Sequence, residues 1–183
     1  MLNELLEEFS RLYKGPVDSL PADASALIIL AGDRPPMKGE SLSRVKLAAN
    51  LLEKTGAPIP VIFSGVTEER QAAMLMMKEA GIPSEISSFQ DCGGFGIANT
   101  KTQFEVFMED PLTKGFDKAV FVTNVCYVPR VRRTAGKVLD PSVAYSVLGA
   151  PEDPSCNLFL KVMEEIDKII RYSTKGDILG RPL

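Results

Sequence analysis

Short apolar runs, each closed by polar residues or glycine and followed by a stretch of helical periodicity, constrain this chain more than any other feature. The most informative stretch is Ala119 to Arg133, A-V-F-V-T-N-V-C-Y-V-P-R-V-R-R. Val120, Phe121 and Val122 are too few for a helix and read as a strand covered on both faces. Thr123 and Asn124 then close the run with small polar groups. Pro129 suits the first turn of a new helix, where its missing N–H costs nothing, and Arg130, Arg132 and Arg133 follow at once. In an open α/β sheet, a polar strand end that runs into a helix start is where ligands dock. Guanidinium groups at such a place suit carboxylate or phosphate.

The same alternation recurs along the chain. Ala26 to Ala31 reads as a buried central strand, Ile59 to Phe63 as a second, Glu85 to Ser88 as a short third and Val143 to Val147 as a fifth. Leu2, Leu5, Leu6, Phe9, Leu12 and Tyr13 predict an amphipathic helix over residues 2–14, ended by Gly15-Pro16. Ser41 is a plausible N-cap for a helix with Leu42, Val45, Ala48, Ala49 and Leu52 turned inward. Thr67 can cap the next helix, in which Met74, Leu75, Met76 and Met77 look like deformable core filling. Asn99-Thr100 starts a helix whose buried side is Phe104, Phe107 and Met108, and the arginine-bearing helix ends near Val138. Leu158, Phe159, Val162, Ile166, Ile169 and Ile170 place a last covering helix within 154–172, and 175–183 reads as a loosely held tail. Strands and helices in this order predict one domain over 1–183. Its class is α/β: a three-layer α/β/α Rossmann-like fold with a parallel sheet of about five strands and right-handed crossovers.

A chain of 183 residues, 45% of them hydrophobic, is long enough for one domain with a full core. Its formal net charge of −3 gives no electrostatic reason for a nucleic-acid or anionic-membrane partner. No apolar run approaches a membrane span, and the acidic, amphipathic N-terminus is unlike an export signal. Three cysteines, Cys92, Cys126 and Cys156, lack metal-ligand spacing and suit reduced thiols in the cytoplasm. There is no histidine, which removes the usual general base near neutral pH, the usual zinc ligand and every histidine-dependent triad. No metal site and no cofactor are assigned; any ion would be a carboxylate-bound, magnesium-type one.

Several rim positions carry groups suited to a ligand. Gly32-Asp33-Arg34-Pro35-Pro36 follows the first strand and puts both charge signs beside its end. Asp33 and Arg34 either face a ligand or pair with each other, and Gly32 serves close backbone approach or a turn. Arg44 falls in the first turn of the next helix, on the same rim, where a lone arginine is otherwise a solvated one. Ser64-Gly65 closes the second strand. Residues 89–97 are rich in glycine, but Gly94, Gly96 and Asn99 only imitate a dinucleotide fingerprint, because the third glycine is missing. That stretch fits a flap, or a backbone cradle leading into the helix at Asn99-Thr100. Cys92 within it has no basic neighbour in sequence to activate it and reads as an inert thiol.

Leu30-Ala31-Gly32, Arg44, Ser64-Gly65, Asn99-Thr100 and Val122-Thr123-Asn124 through Pro129-Arg130 together resemble the YdcF/SanA/ElyC-like family. That family is a widespread bacterial domain without a settled biochemical role, and the likeness runs from about Ala26 to Val147. The family pattern has an apolar strand ending in L-G, an arginine in the next helix and S-G-G after the second strand. Farther along come S-x-N-T-x-E-N and V-T-S-x-Y-H-x-x-R. Here the histidine falls on Tyr127, the acid and amide fall on Thr102 and Gln103, and the second glycine of S-G-G is Val66. The resemblance implies a Rossmann-like domain with a polar pocket over the carboxyl ends of the strands.

Two functional expectations follow. In the first, the chain binds a small anionic ligand, a nucleotide or another phosphorylated metabolite, and acts on it. Arg44 and Arg130 hold the anion, and Asn99-Thr100 offers helix-start N–H groups. Ser64, Gly65, Gly32, Thr123 and Asn124 shape the pocket, with Asp33 as the base and Tyr127 as a proton donor. In the second, a binding or sensing module has kept the pocket and lost the reaction, as the missing histidine and the altered N-T-x-E-N segment favour. Homo-oligomerisation is left open.

Overall fold

The structure, a computed structural model, describes residues 1–14, 20–32, 37, 39–56, 58–93 and 99–180. Within these residues five strands, β1 (Ala26–Leu30), β2 (Val61–Gly65), β3 (Ser87–Asp91), β4 (Lys118–Asn124) and β5 (Ala144–Ala150), pair in parallel in the order β3-β2-β1-β4-β5. Among the described residues six α-helices accompany them: α1 (Leu2–Lys14), α2 (Glu40–Thr55), α3 (Arg70–Glu79), α4 (Thr100–Glu109), α5 (Val128–Val138) and α6 (Leu158–Lys175). The predicted three-layer α/β/α arrangement is the observed one.

The alternation of side chains along β1 explains the layers. Leu27 and Ile29 face a core shared with Val45, Ala48 and Leu51 of α2 and with Ala73, Met76 and Met77 of α3. Ala26, Ile28 and Leu30 face the other side, with Phe104 and Phe107 of α4 and Val131 and Ala135 of α5. On that side Phe121 of β4 meets Phe104 edge-on, with ring centroids 4.7 Å apart, and Phe107 at 5.3 Å. These are arrangements in which aromatic quadrupoles attract. Leu5 and Phe9 of α1 pack on Ile166 and Ile169 of α6 in a third, smaller cluster. Of the four residues read as core filling on α3, Leu75 instead points outward, 54% exposed.

β2, β3 and β5 all run farther toward their carboxyl ends than their apolar runs suggest. Ser64 pairs with Gln90 and Gly65 with Asp91 across β2–β3, and Thr123 with Gly149 and Asn124 with Ala150 across β4–β5. Backbone pairing, not hydrophobicity, sets where a strand ends, so polar rim residues ride on rigid strands. The helix starts differ from expectation too. α2 is preceded by Gly39, and Ser41 lies inside the helix, where its Oγ accepts the Gly32 N–H at 3.2 Å. Thr67 opens a single 3-10 turn, Thr67–Glu69, before α3, and the Glu69 carboxylate accepts the Val66 N–H at 2.9 Å. The expected loose tail is docked through Leu179. Ile178 is buried, and the Leu179 N–H reaches the Arg133 carbonyl at 3.3 Å.

Arg133 is turned away from the strand ends. It pins α1 to α5 through Nη2–Glu8 Oε2 at 2.9 Å and Nη1–Glu8 Oε1 at 3.3 Å, and Nη1 also donates to Pro129 O at 2.8 Å. At β5, Gly149 leaves no room for a side chain, since a Cβ there would lie 2.9 Å from Val125 Cα and 2.8 Å from Val125 Cγ2. Because one of those atoms is backbone, Gly149→Ala is expected to cost about 1–3 kcal/mol through overpacking. Gly180→Ala, with nothing within 4 Å, is expected to be neutral to within about 0.5 kcal/mol. Urea denaturation of both variants checks the contrast.

Candidate functional site

In this strand order the direction of winding reverses between β1 and β4, the place where open α/β sheets form their ligand crevice. Here the crevice holds the guanidinium of Arg44, which is only 3% exposed. Its Nε donates to Asn124 Oδ1 at 2.6 Å, its Nη1 to Leu30 O at 2.7 Å and its Nη2 to Glu40 Oε2 at 3.3 Å. One side chain therefore ties the carboxyl ends of both central strands to α2. Gly32 permits this, because a Cβ at that position would lie 2.8 Å from Arg44 Cζ. Burial pulls the Arg44 pKa below its ordinary value and Glu40 pulls it back; an arginine starts so far above neutral that it stays charged. Asn124 is fully buried and completes the tie, its Nδ2 donating to Ser43 Oγ at 2.8 Å and to Pro151 O at 3.0 Å.

Tyr127 lies in the 3-10 turn Val125–Tyr127 that joins β4 to α5. Three cations surround its ring: Arg44 Cζ at 5.4 Å, Arg130 Cζ at 5.5 Å and Lys161 Nζ at 5.2 Å from the centroid. A ring quadrupole attracts cations at such distances. The hydroxyl donates to Glu40 Oε1 at 2.7 Å. Burial, then that bond to Glu40, raises the Tyr127 pKa well above its ordinary value, so the phenol keeps its proton and already shares it with Glu40. Lys161 Nζ lies 2.5 Å from Glu40 Oε1 and 2.8 Å from Glu152 Oε2, and the Cys126 N–H donates to Glu152 Oε1 at 2.8 Å. Burial works against the Lys161 ammonium, but the two carboxylates outweigh it and hold its pKa above the usual lysine value.

Arg130 faces a different side of the ring. Its Nε is held by Glu165 Oε2 at 2.6 Å and its Nη1 donates to Thr100 Oγ1 at 3.0 Å. Nη2 makes no hydrogen bond to a described residue, and the side chain is 18% exposed. It lines a cavity of about 310 Å³ with Asn99, Thr100 and Lys101 at the start of α4 and with Tyr172 and Asp177 at the end of α6. Asn99 caps α4, its Oδ1 accepting Lys101 N–H at 2.9 Å and Thr102 N–H at 3.1 Å, so those two N–H groups are already engaged.

The other predicted positions separate from these two groups. Ser64 is buried, with Oγ 3.0 Å from Cys92 Sγ, and its carbonyl accepts Gln103 Nε2 at 2.8 Å. Gly65 is packed against the Glu69 carboxylate. Thr123 is buried within β4. Cys92 is also buried; burial pushes its thiol up to about 11, partly offset by the contact with Ser64. Burial, then the bond to Glu152, raises Cys126 as well. Asp33 and Arg34, together with 94–98 of the glycine-rich stretch, lie outside the described residues. Among the described residues, no group of three or more histidine, cysteine, aspartate or glutamate side chains could hold a metal ion, and no helix is long and apolar enough to cross a membrane.

Glu40, Glu152, Lys161 and Glu165 are members of the site that sequence reasoning missed. Glu165 alone carried a signal: it falls on the buried face of α6 between Val162 and Ile169, and it is fully buried. The others meet across contacts of long sequence separation that no local pattern records. No protein-family model matches the chain, and no curated protein matches it.

Three outcomes test this description. Arg44→Met leaves Glu40, Asn124 and the Leu30 carbonyl short of a buried partner and is expected to cost about 3–5 kcal/mol. Arg171→Ala, which removes an exposed pair with Asp167, should cost less than about 1 kcal/mol. Iodoacetamide at pH 8, followed by mass spectrometry, should label the half-exposed Cys156 first and leave Cys92 and Cys126 protected until the chain unfolds.

Proposed function

We propose that this chain binds a small phosphorylated anion, a nucleotide or another phosphorylated metabolite, at the rim above the carboxyl ends of its strands, and that it binds without catalysing a reaction. The observation that carries this reading is Arg130. Its guanidinium is aimed by Glu165 and Thr100, keeps Nη2 clear of described partners and lines a cavity with Lys101 at a helix start. A fixed guanidinium edge, with the exposed Lys101 ammonium beside it, 3.7 Å from Glu105, suits a phosphate oxygen. Arg44 supports the site from behind: it sets Asn124 and Glu40, and Glu40 in turn sets Tyr127.

The non-catalytic reading rests on protonation. Tyr127, Cys92, Cys126 and Lys161 all hold their protons more firmly than usual, whereas a general acid or base works best near the operating pH. A catalytic alternative rests on Asp33 as the base, with Tyr127 as the proton donor. The likeness to YdcF/SanA/ElyC-like proteins supports a polar site at this rim, and the reading takes the chain as a divergent member of that group. Three free cysteines agree with a reducing, cytoplasmic setting.

A thermal-shift panel of nucleotides, adenosyl compounds, sugar phosphates and pyrophosphate provides the test. A ligand at ~100 times its dissociation constant contributes roughly 2.7 kcal/mol, enough to raise the midpoint clearly. Arg130→Ala is expected to abolish the shift and Asp33→Asn to preserve it. An unchanged shift in Arg130→Ala removes the proposed site. Turnover of the bound compound that disappears in Asp33→Asn replaces the binding reading with a catalytic one.

A further inference from the structure

A second, larger cavity of about 780 Å³ runs along α2 on the opposite face of the sheet from the Arg130 cavity. Its volume falls in the range of small-molecule sites, roughly 300–1,000 Å³. Four leucines line it: Leu20 and Leu51 are buried and Leu42 and Leu47 half-buried, while Pro151 and Pro154 face them from the loop after β5. Lys46, Asn50 and Lys54 follow one another at four-residue spacing, so they form a single stripe on α2; all three are exposed and line the same cavity.

The charges in this groove are not balanced. Of the two carboxylates that line it, Glu152 is paired with Lys161 at 2.8 Å, while Asp153, held by Ser155 N–H at 2.8 Å and Ser155 Oγ at 2.7 Å, keeps its charge, so two lysines face one free carboxylate and the groove is net positive. Lys46 and Lys54 make no ion pair with any described residue. An apolar floor beside two ammonium groups that no carboxylate pairs directly is complementary to a molecule that is apolar along its body and negative at its head. We infer that the groove between α2 and Pro151–Pro154 binds an amphiphilic carboxylate, its hydrocarbon against Leu42, Leu47 and Leu51 and its headgroup on the Lys46–Lys54 stripe. A neutral amphiphile gains the same apolar contact without the charge pairing, and a cationic one meets two like charges.

Isothermal titration with dodecanoate, kept below its micellar concentration, tests the inference on the full chain. Saturable binding at one site per chain is expected, with dodecanol at least tenfold weaker and dodecylamine undetected. Lys46→Glu/Lys54→Glu alters exposed positions only and should leave the thermal midpoint unchanged while weakening dodecanoate at least tenfold. Leu47→Glu should weaken it as well by placing a carboxylate on the floor. Arg130→Ala should leave dodecanoate binding intact, which separates this groove from the anion site at the rim. No saturable binding, equal binding of dodecanol, or undiminished binding by the double lysine variant overturns the assignment.

Discussion

A buried positive charge at the point where the sheet reverses its winding is the constraint on which the rim of this protein depends. A guanidinium removed from water is costly unless its N–H groups are met and its charge is opposed. Arg44 meets that requirement with a main-chain carbonyl of β1, an amide side chain at the end of β4 and a carboxylate of its own helix. Each partner is thereby fixed in turn. Asn124 is held with its amide toward Ser43 and Pro151, Glu40 is presented to Tyr127 and Lys161, and Gly32 is kept free of a side chain.

The segment from β4 through α5 distributes the consequences. Phe121 is locked among aromatic rings in the core, and Asn124 is locked to Arg44. Tyr127 follows within a ring of cations, Arg130 reaches Glu165 of α6, and Arg133 reaches Glu8 of α1. Core, rim and both covering helices are therefore referred to one continuous piece of backbone. Ion pairs of this kind contribute more to fixing geometry than to net stability, and fixed geometry is what the proposed role of Arg130 requires.

The sheet was legible because buried parallel strands leave an apolar signature and their connecting helices a period of three to four residues. Strand ends were less legible: Ser64, Gln90 and Gly149 continue their strands through backbone pairing that side-chain polarity conceals. At the rim, Arg44, Asn124, Tyr127 and Arg130 could be singled out from the residue types at strand ends and helix starts. Their partners could not, since Glu40, Glu152 and Lys161 are joined through space by contacts that local sequence does not encode. Arg44 shows the limit most clearly. From sequence it read as a rim residue holding an anion, with a solvated arginine as the alternative, and only the close approach allowed by Gly32 shows why it is buried.

The carboxylates that surround the rim cations have a kinetic meaning. Arg44, Arg130 and Lys161 each face a glutamate at short range, so little net field projects from them into solvent. Steering of a charged partner depends on such a field and fades with ionic strength. On the proposed function, an anion reaching this rim is captured by contact rather than drawn in from a distance. Its arrival rate should hardly change between dilute buffer and physiological salt, leaving discrimination to how long it stays.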